Sequence, residues 1–377
     1  MDVMVKLNSA ESIRGLACLA VVFSHLSLSF FPFLHHFDQS EISNSALQSF
    51  FYHSPFAFWY SGTAAVFLFF VLSGYVLSYA ILRKPDLVKA KIQSMLIKRY
   101  PRLAIPALAS CLLIWLIFQV IQIDSSQISN WFQAYVTQDI SLQHAIYEGT
   151  IGSFFFAESD TNWVLWTMHI ELFGSLALFL LLYLYQLKRY LFFIASILLP
   201  VCAFYWKGEG FLLGISSFVI GIYFFLYAKK LSYPVAIVMF LFGLYLAGAH
   251  NGSWSYQWIH AFLGERTYEY GNFFGGVLIV YSILMSPKLS TQFDHSVLVW
   301  LGKLSFSIYL LHLIVLYVVG LPIFNYLLSL GVDYATSAVI ASIIFIALTL
   351  CASEYFSRWV DQFAIKFSQR LAAKILD

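Results

Sequence analysis

The chain has 377 residues, 60% of them hydrophobic and 11% charged, with a net charge of +2 and a mean hydropathy of +0.78. Soluble domains carry about 25% charged residues, and 38 Phe, 24 Tyr and 10 Trp exceed what one water-facing core can hide. A soluble enzyme, a disordered chain and a nucleic-acid binder are excluded; the expected fold class is an all-α polytopic membrane protein, with residues 1–377 forming a single transmembrane domain.

A spanning helix needs roughly 20 mostly apolar residues, and a helix satisfies its own backbone groups in lipid. Ten spans are predicted, at about 13–33, 61–82, 103–123, 164–186, 190–206, 211–228, 233–250, 271–286, 299–320 and 336–356. The first is read as a retained helix, because its apolar run from Leu16 to Leu34 is long and no small-residue cleavage site follows. Cys18, Cys111, Cys202 and Cys351 each fall in an apolar stretch without a CxxC spacing, and read as small core residues.

The basic residues set the expected orientation. Arg83, Lys84, Lys89, Lys91, Lys98, Arg99 and Arg102 lie between spans two and three. Lys188, Arg189, Lys229, Lys230 and Lys288 occupy the alternate connections, and Arg358, Lys366, Arg370 and Lys374 the C-terminal tail. Segments 34–60, 124–163 and 321–335 contain no Lys or Arg, and only Lys207 and Arg266 break the silence on that side. The positive-inside rule puts both termini in the cytoplasm and those three segments outside. Segment 34–60 holds His35, His36, Asp38, Glu41 and His53; segment 124–163 holds five acids among Trp131, Phe132, Tyr135 and Tyr147. Loops of this length either cover or line something, or lie solvated on the membrane surface.

Ionisable groups inside spans are costly and face a cavity or a partner. Arg14 and His25 are eleven residues apart on one face of the first span, about 16 Å along the axis. The fourth span carries His169 and Glu171 just inside its outer end, behind Trp163 and Trp166; the ninth carries Tyr309 and His312, and the tenth ends near Glu354. A neutral imidazole in a dry site suits general-base work, and each of these histidines also fits a packed ring bonded to a neighbouring helix.

Arg14 through His25, an Arg and a His separated by ten residues, resembles the first-helix motif of the acyltransferase-3 family of membrane-bound O-acyltransferases. Four further stretches are similar in order: Phe69-Phe-Val-Leu-Ser-Gly-Tyr75; the basic Lys98-Arg-Tyr-Pro-Arg-Leu-Ala-Ile-Pro106; Trp166-Thr-Met-His-Ile-Glu171, with Met168 for the usual Leu; and Leu301-Gly-Lys-Leu-Ser-Phe-Ser-Ile-Tyr-Leu-Leu-His312. Asp361-Gln362-Phe363 lacks the proline that closes the family's C-terminal pattern. The resemblance covers about residues 10 to 361 and implies the stand-alone form, without an extracytoplasmic SGNH domain.

The resemblance implies an acyl-CoA donor, acetyl-CoA by default, on the cytoplasmic side. It implies a hydroxyl acceptor on a carbohydrate or glycolipid such as O-antigen or exopolysaccharide, an integral location in the bacterial inner (plasma) membrane among its lipids, and no metal. Arg99 and Arg102, with Arg14 below the pore, are expected to hold the donor phosphates, although topology alone also makes such a loop basic. His25 is the expected general base, with Glu171 orienting its ring or binding the acceptor. Tyr309 and His312 are expected to polarise the thioester or shape the cavity, and Trp166 to stack on a sugar or sit at the interface. The rival functions are a transporter or flippase for an acyl, lipid or sugar substrate, and a scaffold for a polysaccharide assembly.

Overall fold

The structure, a computed structural model, describes residues 3–35 and 45–376, with side chains from Leu7 onward. His36, Asp38 and Glu41 lie outside the described residues. Every regular element among those described is helical. In chain order they are α1 (Val3–Phe30), α2 (Ala46–His53), α3 (Gly62–Leu82), α4 (Val88–Val120), α5 (Asn130–Val136), α6 (Leu142–Tyr147), α7 (Thr167–Leu187), α8 (Arg189–Lys207) and α9 (Glu209–Tyr227). There follow α10 (Tyr233–Ala247), α11 (Gln257–Leu263), α12 (Thr267–Met285), α13 (Pro287–Gln292), α14 (Ser296–Val315), α15 (Leu321–Ser329), α16 (Tyr334–Phe356) and α17 (Gln362–Leu376). Short 3-10 and π segments join them.

Eight helical runs among the described residues are long and apolar enough to cross a membrane. The ten predicted spans each fall on a helix, and the two outside those eight are α10 and α12. α10 has 15 residues, about 22 Å of rise against a hydrocarbon layer of roughly 30 Å. α12 opens on Thr-Tyr-Glu-Tyr, which lowers its hydropathy. The pair packs closely because Gly275 faces the backbone of Ala247 and Gly243 faces Ile279.

Three predicted boundaries shift. The third span starts near Val88 rather than 103, so the basic stretch is itself helical and α4 runs 33 residues through Pro101 and Pro106. The tenth continues past 356 through a π segment, Ser357–Asp361, into α17. These two extensions lie against each other, α17 burying Ala364, Ser368 and Ala372; small side chains one turn apart let helices approach. The ninth span likewise runs on through Leu316–Gly320 into α15, taking in much of an expected loop. Hydropathy registers the apolar half of such helices and is blind to the charged half.

The contact that organises the centre is α1 against α14. Gly15 faces Gly302, with a Cβ at Gly15 only 2.8 Å from the Gly302 nitrogen. Cys18 Sγ meets the Ser305 carbonyl at 3.2 Å and His25 meets His312, both at a sequence offset of 287. A constant offset means the two helices run parallel and in register, as the first and ninth spans of an alternating bundle must. Glu11 and Asp361 line the same cavity, so the chain begins and ends its crossings at one face, the face bearing the basic connections.

Candidate active site

A cavity of about 480 Å³ opens at that face between α1, α3, α4, α7, α14 and the Ser357–Asp361 turn. Its mouth holds Glu11, Arg14, Arg102, Lys303 and Asp361; deeper in lie Ser73, Arg99, Glu171, Thr167 and Tyr309. Arg14 bonds Glu11 one turn back at 3.0 and 3.1 Å. Arg102 and Lys303 are exposed.

Arg99 and Glu171 are largely enclosed, with side-chain exposures of 11% and 15%. The Arg99 guanidinium donates to the Glu171 carboxylate, to Ser175 Oγ at 2.9 Å and to the Glu171 carbonyl at 3.3 Å. Ser73 Oγ donates to the same carboxylate at 3.1 Å. Ions removed from water persist only when paired and hydrogen-bonded, and this arrangement meets both conditions.

The cavity ends at Tyr309 and Thr167, whose hydroxyls are 2.9 Å apart; Tyr309 also donates to the Val164 carbonyl at 2.7 Å. One turn beyond Tyr309 along α14 is His312, fully buried, with Nε2 2.6 Å from His25 Nδ1. The planes of these two rings differ by 5° and their centroids are 4.9 Å apart. A ring nitrogen lies little more than an ångström from its own centroid, so these values require the two nitrogens to point at each other within a common plane. It is an edge-to-edge hydrogen bond, with no face-to-face overlap. Trp131 lies nearly parallel to His25 at 5.3 Å and abuts Trp163.

Trp131 reaches this position because segment 124–163 is folded into the bundle. Phe132, Tyr135 and Phe154 on it are fully buried. Its clamp is Glu148, also fully buried, whose two carboxylate oxygens accept from the backbone N–H of Thr161 at 2.6 Å and of Asn162 at 3.0 Å. Asn162 Nδ2 in turn donates to Ser110 Oγ and to the Leu310 carbonyl, both at 3.1 Å. His144 flanks Glu148 at 3.5 Å and Asp160 at 3.6 Å. The segment therefore ties α4 to α14 beside the His25–His312 pair.

The residues singled out in the sequence divide accordingly. Arg14, Arg99, Arg102, Glu171 and Tyr309 share one cavity, and His25 and His312 meet beyond it. One expected relationship is corrected. Glu171 bonds Arg99 and Ser73 rather than the His25 ring, because it sits level with the middle of α3; the partner of His25 is another imidazole. Arg99 lines the cavity with Nε bonded to Ser175 Oγ and Nη2 to that carboxylate. Trp166 is 42% exposed and lies outside the cavity lining, which leaves its interface position standing; the indole against His25 is Trp131. His169 bonds the Phe154 carbonyl at 2.9 Å among Phe173, Trp206 and Phe211, a packed ring. Ser73, Lys303, Glu148 and Asn162 were not foreseen as contributors. Ser73 stands inside a quoted motif, and Glu148 is one acid among five in its loop, so no spacing marked either.

No curated protein and no solved structure matches the chain. The model of one family, described as an acyltransferase domain, matches residues 7–354, which takes in nearly all of α1 through most of α16 and with them the cavity walls other than the Ser357–Asp361 turn, and both histidines of the pair. The chain belongs to the acyltransferase-3 family and is an integral-membrane acyltransferase.

Proposed function

We propose that the protein is an O-acyltransferase. It takes an acyl group, acetyl by default, from acyl-CoA at the basic, cytoplasmic face and transfers it to a hydroxyl of a carbohydrate or glycolipid presented from the opposite face, such as O-antigen or exopolysaccharide. The bacterial inner membrane is the setting in which both substrates meet. The observation that carries the reading is the register of α1 and α14: Arg14 and Lys303 stand at the cavity mouth, while His25 and His312 stand deeper on the same two helices.

Coenzyme A is anionic at one end and carries its thioester at the other. A site for it needs cations separated from a base by the length of its arm. Arg14 and His25 are about 16 Å apart along the axis, a distance that suits an extended pantetheine arm. In this reading Arg14, Arg102 and Lys303 receive the phosphates, Arg as a bidentate fork and Lys as a point charge. Arg99 and Glu171 stiffen the wall between them. Tyr309, at the boundary between cavity and histidines, gives its hydroxyl to the thioester oxygen after releasing Val164. His25 accepts the acceptor's hydroxyl proton as the oxygen attacks the thioester carbon, the C–S bond breaks, and the same ring returns the proton to the departing sulfur. Trp131 offers a flat face to the acceptor beside His25.

The test is release of free thiol from acetyl-CoA by protein reconstituted in lipid nanodiscs. The reading predicts release that depends on a carbohydrate acceptor. A transporter or flippase would release none, and release indifferent to acceptor would indicate a thioesterase.

A further inference from the structure

A general base needs an unprotonated nitrogen facing its substrate, and a neutral imidazole has one nitrogen of each kind. The hydrogen bonds around His25 and His312 determine which is which. His312 Nδ1 lies 3.0 Å from the Ile308 carbonyl oxygen. A carbonyl only accepts, so that nitrogen carries a proton. His312 is fully buried, and among the described residues no carboxylate is bonded to either ring. A second proton on His312 would leave an uncompensated cation within a span, which is expensive. His312 Nε2 is therefore a bare acceptor. Across the 2.6 Å in-plane contact His25 Nδ1 must be the donor, and the remaining nitrogen of His25, Nε2, is left with its lone pair free.

We infer that His312 is a positioning residue that fixes His25 in the Nδ1–H tautomer, so that a fixed line of hydrogen bonds from the Ile308 carbonyl through both rings ends in a basic Nε2 on His25. His312 takes the place that a carboxylate holds in a serine-protease triad, where the partner of the histidine sets its tautomer. The difference is that this partner is neutral. When His25 accepts the hydroxyl proton on Nε2, the new cation keeps its Nδ1–H on His312 Nε2 and the charge is shared between two imidazoles. The proton then leaves from Nε2 to the thiolate freed by C–S cleavage, and both rings return to their starting tautomers. The identity of residue 308 is immaterial because its backbone supplies the oxygen, whereas α14 must be helical there to aim it at the ring one turn on.

The kinetic consequence rests on the acyl-transfer reading; the tautomer itself does not, and the experiment separates the two. Protein labelled with ¹⁵N-histidine is placed in nanodiscs, and the His25 ring is assigned by its loss in His25→Gln. The inference predicts a proton on Nδ1 and none on Nε2 of His25, with the other tautomer appearing in His312→Leu. It also predicts that His312→Leu lowers kcat about 100-fold, within the range assigned to general-base catalysis, with the KM for acetyl-CoA held within about twofold. His312→Gln, whose amide oxygen can accept from His25, should recover about a tenth or more of wild-type kcat. A His25 ring protonated on Nε2 in the wild type overturns the inference, as does a kcat equal in His312→Leu and wild type. If the wild type shows the Nδ1–H tautomer but transfers no acyl group, the tautomer assignment stands and the acyl-transfer reading falls.

Discussion

Glu171 of α7 and Arg99 of α4 form an ion pair in the wall of the cavity, with Ser73 of α3 donating to the same carboxylate at 3.1 Å. Three helices meet at one charged knot. Removing one partner from such a pair typically costs about 3–5 kcal/mol, while replacing both is far better tolerated. Glu171→Leu or Arg99→Leu alone should therefore lower the thermal stability of the detergent-solubilised protein sharply, and the double variant should recover much of the loss. Strictly additive losses would mean that the two residues act separately.

The α1–α14 contact depends on glycine at 302, where a Cβ would land on the Glu11 carbonyl. Gly302→Val should push the helices apart and widen the 2.6 Å bond between His25 and His312. Overpacking of this kind costs typically about 1–3 kcal/mol, and acyl transfer should fall with it. Gly210→Ala is the control, since nothing lies within 4 Å of the added carbon. Full activity in Gly302→Val would detach the histidine pair from the helix register.

At the cavity mouth, Arg102→Ala and Lys303→Ala should raise the KM for acetyl-CoA while leaving kcat within about threefold, the signature of lost ground-state binding. Arg102→Lys should recover only part, because a point charge replaces a fork. The effect should shrink as salt rises, since these groups are exposed and screened. A change confined to kcat would move both residues out of the donor site.

On the opposite face, His35 bonds Ser27 Oγ at 2.7 Å. Burial and the nearby charge of His250 hold its pKa down at about 3, against an ordinary value of 6.5. A depressed histidine binds fewer protons folded than unfolded, so its contribution to stability is complete above pH 6.5 and is lost progressively as pH falls from there toward 3. His35→Gln should flatten the acid limb of a stability profile measured by thermal unfolding. An unchanged slope between pH 6.5 and 4 would exclude His35 as a source of that sensitivity.

Much of this architecture was legible in the sequence because a bilayer constrains it so strongly. Apolar runs gave the helices, and Arg14 and His25 were expected on one face of their helix from spacing alone. The silence of Lys and Arg in segment 124–163 marked that segment as different, without telling that Phe132 and Tyr135 would be buried and Trp131 set beside His25. Partner choice was the part that escaped. Glu171 and His312 both stood available to His25, and only the depth at which α7 begins decides between them. The charged halves of α4 and α17 were invisible as helix because hydropathy reports lipid contact, whereas their stability comes from each other.

If His25 is the base of an acyl transfer, the fate of labelled acyl groups reports it without an intermediate assay. Membranes containing equal amounts of wild type or His25→Ala are given labelled acetyl-CoA, with surface polysaccharide of the host as acceptor. Wild type should put label into the polysaccharide, and the variant should lose at least about 100-fold of it. Equal labelling by the two would contradict that role of His25.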